Sequence, residues 1–151
     1  MSETELSFKP MKIADVPEVI NLENDVYDFP WSERIFQDCI RVGYDCWLAL
    51  QQNQIVGHAV ISVAAGESHM LNLSIARQHQ GKGYGKLFIH FLLDIARKKS
   101  AEIMMLEVRP SNTHAINCYN SSGFNEVGCR KDYYPAPEGK EDALLFARQI
   151  S

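Results

Sequence analysis

The chain has no apolar run long enough to cross a bilayer. Its longest, Leu87 to Ala96, is broken by His90 and Asp94 and is about half the length a spanning helix needs. Cysteine is scarce as well: Cys39, Cys46, Cys118 and Cys129 show no C-x-x-C spacing and have no close histidine pair. That argues against a metal site and a disulfide framework, and for buried free thiols. An excess of positive charge is also missing. Fifteen Lys and Arg against 19 Asp and Glu leave a net charge of −4, which speaks against a mainly electrostatic grip on nucleic acid or on an anionic membrane. The Met1 to Pro10 segment carries Glu3 and Glu5 and no apolar h-region, so it reads as neither a secretory signal nor a transit peptide, and the expected location is cytoplasmic. There is no internal repeat, linker or low-complexity tract. The expectation left standing is one soluble globular domain over residues 1–151, with 46% hydrophobic residues to fill its core.

Periodicity orders that domain. Leu6 to Lys9 reads as a short strand. Asp15 with Glu18 three residues on and Pro17 in the first turn marks a helix start, and Val16, Val19, Ile20 and Val26 supply its stripe up to about Tyr27. Phe29-Pro30-Trp31 breaks that helix, and Ser32 caps a second one carrying Ile35, Phe36, Cys39 and Ile40. Cys46 to Leu50, Ile55 to Val63 and His69 to Ile75 form an antiparallel meander with Gln-Gln-Asn and Ala-Gly-Glu turns. From Gly83 to Lys98 apolar residues repeat at three and four, a helix with cations in its last turn. Ile103 to Val108 is apolar apart from Glu107 and reads as a strand covered on both faces. Thr113 to Ser122 is a helix stopped by Gly123, and strands at Phe124 to Tyr133 and Ala143 to Arg148 follow, joined by a loop containing proline and glycine. The expected class is a mixed α/β fold in the order β-α-α-β-β-β-α-β-α-β-β.

Between the third meander strand and the long helix lies Gln80-Gly81-Lys82-Gly83-Tyr84-Gly85-Lys86. Alternate glycines let the backbone turn sharply and aim N–H groups outward, and the following helix adds its positive end, so the segment is an anion cradle. A dinucleotide fingerprint starting at Gly81 would need glycine where Lys86 stands. A P-loop would need Ser or Thr after Gly-Lys, where Gly83 and Leu87 stand. The spacing that fits is Gln-x-x-Gly-x-Gly.

On that loop the chain resembles the Gcn5-related N-acetyltransferase (GNAT) superfamily, whose acyl-CoA N-acyltransferase fold has the same element order. A likeness spread over nearly the whole chain is to the bacterial ribosomal-protein-alanine N-acetyltransferase (RimI) group. It rests on Phe29-Pro30-Trp31-Ser32-Glu33, the glycine loop, Leu106 to Asn112, Tyr119 with Gly123-Phe124, Tyr133-Tyr134-Pro135 and Glu141-Asp142-Ala143. The Phe-Pro-Trp-Ser-Glu segment and the tail are its more specific parts.

Acetyl transfer from a thioester to an amine needs a neutral amine, a stabilised oxyanion and a proton for the departing thiolate. An α-ammonium titrates near 8, so a modest base suffices. The resemblance places that base at Glu107, acting directly or through water; without it, a structural pairing of Glu107 with Arg109 is an equal reading. Tyr119 lies seven residues past Asn112 and so on the same side of its helix, and the resemblance makes its phenol the donor to the thiolate. It also implies acetyl-CoA as co-substrate and no metal. Leu73, Ser74 and Ile75 would hold the pantetheine through main-chain groups. Gly81, Lys82, Gly83, Tyr84, Gly85 and Lys86 would take the pyrophosphate, and Asn112, a helix cap by its position, and Tyr119 would also touch the cofactor.

Tyr27, Phe29 and Trp31, with Tyr133 and Tyr134, are the expected walls of a slot for an extended protein N-terminus, the partner being a ribosomal protein. Aromatics at such spacing also serve as core. Asp25, Asp28, Glu138, Glu141 and Asp142 are available to attract a basic end, or form an ordinary solvated face. His114 and Cys118 stand at i, i+4, but no third group nearby orients them as a thiol nucleophile and base. The rival functions are acetylation of lysine side chains or polyamines, a non-catalytic acyl-CoA-binding module, and nucleotide binding at the glycine loop. The sequence leaves the oligomeric state open.

Overall fold

The structure is a computed structural model and describes residues 5–150. Seven strands and four α-helices alternate along them: β1 (Ser7–Pro10), α1 (Val16–Val26), α2 (Glu33–Val42), β2 (Asp45–Gln51), β3 (Gln54–Ala64), β4 (Glu67–Ile75), α3 (Tyr84–Lys98), β5 (Ile103–Val108), α4 (Thr113–Ser121), β6 (Asn125–Ala136) and β7 (Gly139–Gln149). The strand order is β1-β2-β3-β4-β5-β7-β6, a mixed sheet, as the periodicity predicts. Among the described residues no helix is long and apolar enough to cross a membrane. The chain divides into two compact units: one takes the chain up to Ser62 and then Leu71–Phe88, the other Val63–Met70 and everything from Ile89.

In the first unit, β1 runs antiparallel to β2 and β2 to β3. The β2–β3 turn places Gln52 and Asn53 at φ of 51° and 64°, the left-handed pair that a two-residue hairpin requires. Its core gathers Val16 and Val19 of α1, Phe36 of α2, and Leu48 and Val60 of the strands, with Trp31 packed against it. Ser32 Oγ accepts from the Ile35 N–H at 3.3 Å, and Gly43 closes α2 at φ 89°, so the expected cap and stop are both in place. Asp15 stands at the N-cap of α1, the expected helix start, but makes no side-chain bond to that helix. Ile13–Asp15 is a 3-10 turn whose Asp15 carboxylate accepts from the Lys12 N–H at 2.8 Å. The acid therefore caps that turn rather than α1.

In the second unit, the first four residues of β4 pair parallel with β5, from Glu67↔Ile103 to Met70↔Leu106. β5 pairs antiparallel with β7, and β7 with β6. β5 is fully buried on only one face, with Met104, Leu106 and Val108 inside and Glu107 half-exposed on the other; the expectation of cover on both faces needs that correction. Gly123 ends α4 at φ 88°. The two late strands are longer than expected, because the Pro/Gly stretch read as a loop is ladder: Tyr134↔Glu141, Pro135↔Lys140 and Ala136↔Gly139 are paired. β6 ends the strand order, and at an edge a proline costs no ladder bond. Edge position also corrects the reading of buried thiols, since Cys39 and Cys46 are buried, Cys118 is intermediate and Cys129, on β6, is exposed.

Candidate active site

In the first unit α1 ends against the last third of β4. The Tyr27 hydroxyl donates to the Leu73 carbonyl at 2.5 Å, and burial pushes this phenol's pKa up to about 12. Arg77 donates to the Asp25 and Val26 carbonyls at 2.8 and 3.3 Å, satisfying open carbonyls at the helix end. Beside Tyr27, Glu23 is only 2% exposed. It accepts from the Trp31 N–H at 3.0 Å, from Asn72 Nδ2 at 3.2 and 3.3 Å and from Ser74 Oγ at 3.2 Å, and its Oε1 lies 3.4 Å from His58 Nε2. Burial raises the Glu23 pKa, opposed by those hydrogen bonds, and burial lowers that of His58 to about 3. Both groups are thus driven toward their neutral forms. This cluster ties the Phe-Pro-Trp segment to β4. Sequence reading missed it, although Glu23 follows Val16 by seven and Val19 by four, on the buried stripe of α1.

Leu73, Ser74 and Ile75 lie past the last β4–β5 ladder pair, Met70↔Leu106. The Ser74 hydroxyl is turned inward to Glu23, so what this residue can offer a ligand is main chain. Gln80 Nε2 donates to the Ile75 carbonyl at 2.9 Å and draws the loop back onto the strand end. Gly81 and Gly83 take φ of 79° and 82°, and a Cβ at either would meet nothing within 4 Å. The glycines are therefore needed for their backbone angles, not for space. Lys82 and Lys86 are exposed, and α3 opens at Tyr84. Open N–H groups at a helix start with two cations nearby suit a diphosphate. The Tyr84 side chain is turned inward: it is 1% exposed, and its hydroxyl accepts from Gln51 Nε2 at 2.8 Å, so what this residue can offer a ligand is main chain. Trp31 packs on Phe36 with ring centroids 5.1 Å apart, and Phe29 is 45% exposed. Of the three aromatics expected as slot walls on this side, Phe29 is exposed and Tyr27 and Trp31 are partly buried.

In the second unit Glu107 Oε2 lies 3.4 Å from Arg130 Nε and has no hydrogen-bond partner. The expected partner, Arg109, turns elsewhere: its Nη1 donates to the Pro135 carbonyl at 2.6 Å and to Glu141 Oε1 at 3.4 Å. Arg109 lies just past the end of β5, and β6 supplies the nearer cation. Asn112 Oδ1 accepts from the Ala115 N–H at 3.2 Å, so its capping role is realised. Tyr119 is buried against Phe124 and Phe146 at 5.9 and 6.3 Å between ring centroids. Tyr133 and Tyr134 meet edge to face at 4.9 Å, with Tyr133 exposed. Glu141 also accepts from the Ser111 N–H at 2.8 Å, and Asp142 from the Asp132 N–H at 2.9 Å. These two acids are held internally rather than displayed for a basic partner. Among the described residues no three His, Cys, Asp or Glu side chains gather as metal ligands.

A mixed sheet whose fourth strand leads through a Gln-x-x-Gly-x-Gly loop into a helix N-terminus defines an N-acyltransferase of the acyl-CoA class. The chain belongs to the acetyltransferase (GNAT) family, whose model matches residues 16–124, and it is an acetyl-CoA-dependent N-acetyltransferase. It is 33% identical over 141 residues to the [ribosomal protein bS18]-alanine N-acetyltransferase of Escherichia coli K12, covering 93% of this chain and 95% of the relative. The Haemophilus influenzae enzyme of that name is 33% identical over 138 residues, covering 91% and 94%. The crystal structure of the ribosomal-protein-S18-alanine N-acetyltransferase from Escherichia coli superposes with a TM-score of 0.90 at 31% identity, covering 97% of this chain and 95% of that one. The family and fold expected from the motifs are borne out.

Proposed function

We propose that residues 1–151 act as one catalytic domain that acetylates the N-terminal alanine of a ribosomal protein of the bS18 type. One observation carries the choice of acceptor. The family model stops at residue 124, whereas similarity to the bS18-alanine enzyme covers 93% of the chain and so reaches into the β6–β7 hairpin. Glu107, directly or through water, takes a proton from the acceptor's α-ammonium. The freed amine attacks the thioester carbonyl, whose oxygen is met by a main-chain N–H of the Leu73–Ile75 segment. As the C–S bond breaks, Tyr119 gives its proton to the departing thiolate and regains one from the adduct's nitrogen as the amide forms; Glu107 releases its proton to solvent, and the acetamide and free CoA leave. The first unit supplies the Gly81–Lys86 loop for the pyrophosphate and Phe29 for the acceptor; the second supplies Asn112 for the donor and Tyr133 and Tyr134 for the acceptor.

The placement of Glu107 supports this reading, because its side chain is 31% exposed on the partly open face of β5, where a water or an ammonium can approach the carboxylate. The test is turnover of acetyl-CoA with a peptide beginning with free alanine, with mass mapping of the product. Glu107→Gln and Tyr119→Phe are each expected to lower kcat by about 100-fold or more. Unchanged turnover at neutral pH in either variant removes that role. Acetyl groups found on lysine ε-amines instead of the α-amine overturn the choice of acceptor, and deletion of the gene identifies the N-termini that lose acetylation.

A further inference from the structure

Two arginines in the second unit each touch a carboxylate and cover one ring of the tyrosine pair. Arg130, on β6, lies 3.4 Å from Glu107 Oε2 and places its guanidinium 5.6 Å from the Tyr133 ring centroid. Arg109, just past β5, stands 4.4 Å over the Tyr134 ring, donates to the Pro135 carbonyl next door at 2.6 Å, and pairs with Glu141 on β7 at 3.4 Å. Glu141 in turn takes the Ser111 N–H on the β5–α4 connection. The ladder is irregular between Arg130 and Tyr134, and Asp132 adopts φ 50°, so backbone pairing does not by itself fix where the two tyrosines point. Each ring carries a cation–π contact in addition, and Arg109 also donates to the backbone beside Tyr134. A lysine would keep the charge at either position but not the planar guanidinium that lies over the ring.

We propose that Arg109 and Arg130 are positioning residues for the acceptor, which hold Tyr134 and Tyr133 in register with Glu107. The proposal rests on the reading of Tyr133 and Tyr134 as acceptor walls. Its test compares steady-state kinetics of Arg109→Lys and Arg130→Lys with the native protein, varying the alanine peptide and acetyl-CoA separately. Each variant is expected to raise KM for the peptide about tenfold while kcat and the KM for acetyl-CoA stay within about twofold. In Arg109→Lys and in the milder Glu141→Gln, amide hydrogen exchange over residues 131–142 is expected to quicken about tenfold with the rest of the chain unchanged. A peptide KM unchanged in either arginine variant overturns the paired role, as does a parallel fall in kcat and in both affinities, which would mark a merely structural contact. Tyr133→Ala and Tyr134→Ala separate the two levels. If they leave the peptide KM unchanged, the acceptor-wall reading fails and takes this proposal with it; if they raise it while the lysine variants do not, only the arginine roles fail.

Discussion

Replacing His58 by Phe tests how the buried polar cluster in the first unit is charged. The His58 ring is 0% exposed, meets Phe36 edge-on at 5.3 Å, and has no hydrogen-bond partner at either nitrogen. Its 3.4 Å approach to Glu23 admits two descriptions, an ion pair or two neutral groups. Burial favours the second, with a pKa pulled from 6.5 to about 3. In the unfolded chain the imidazole takes a proton below about pH 6.5, and in the folded chain it does not until near pH 3. Its stabilising contribution is therefore fully present above pH 6.5 and is lost as pH falls. Linkage at about 1.4 kcal/mol per unit makes the loss ~2 kcal/mol at pH 5 and ~5 kcal/mol below pH 3. Glu23 works in the opposite sense, because its raised pKa makes the folded state bind a proton first as pH drops. Because Glu23 lies 3.4 Å from His58 its titration responds to the change, so the same comparison is made in a Glu23→Gln background, where the difference isolates the histidine. Urea unfolding followed by tryptophan fluorescence between pH 7.5 and 5.0 should show the variant gaining ~2 kcal/mol on the native protein. A gap that moves the other way, with the native protein gaining in acid, would mean a protonated His58 paired with Glu23, and a gap independent of pH would mean that the ring titrates as in the unfolded chain. Either result refutes the neutral description.

Two further changes probe how the end of β4 is held. A Cβ on Gly57 would stand 2.7 Å from the Ser74 carbonyl oxygen and 2.8 Å from Ile75 Cδ1, so Gly57→Ala should cost about 2 kcal/mol in denaturant unfolding and raise the KM for acetyl-CoA, since the atoms displaced include the main chain proposed to hold the pantetheine. Tyr27→Phe removes the hydroxyl that donates to Leu73 and should lower stability by about 1 kcal/mol. With its pKa near 12 the phenol keeps that proton across the range of an acetylation assay, so the native and variant pH profiles should run parallel from neutrality to pH 9; a divergence in alkali would show that the hydroxyl ionises there.

The order of elements was legible because it depends on local properties. Ser32 and Gly43 bound α2 by hydrogen bonds reaching only a few residues, and Gly123 ends α4 for the same reason. The errors fall where a distant residue decides. Pro135 reads as a loop residue unless β6 is known to lie at a sheet edge, which is a property of the whole strand order.

The residues of the candidate site divide along the same line. Groups recognised through a motif, the glycine loop and Glu107 among them, could be named because their chemistry goes with their spacing. Groups that act through a partner could not. Arg109 was paired with Glu107 by proximity in the chain, yet its carboxylate is Glu141, 32 positions later, and the cation beside Glu107 is Arg130, 23 positions later. Glu23 is the informative exception, because a carboxylate on an apolar helical stripe is itself a sequence signal. Burying it is unfavourable unless several donors converge on it. Position alone therefore predicts partners on whatever that face packs against, and Asn72 and Ser74, two apart on β4, are the answer. A polar residue that violates its element's pattern thus says more about tertiary contacts than any number of residues that obey it.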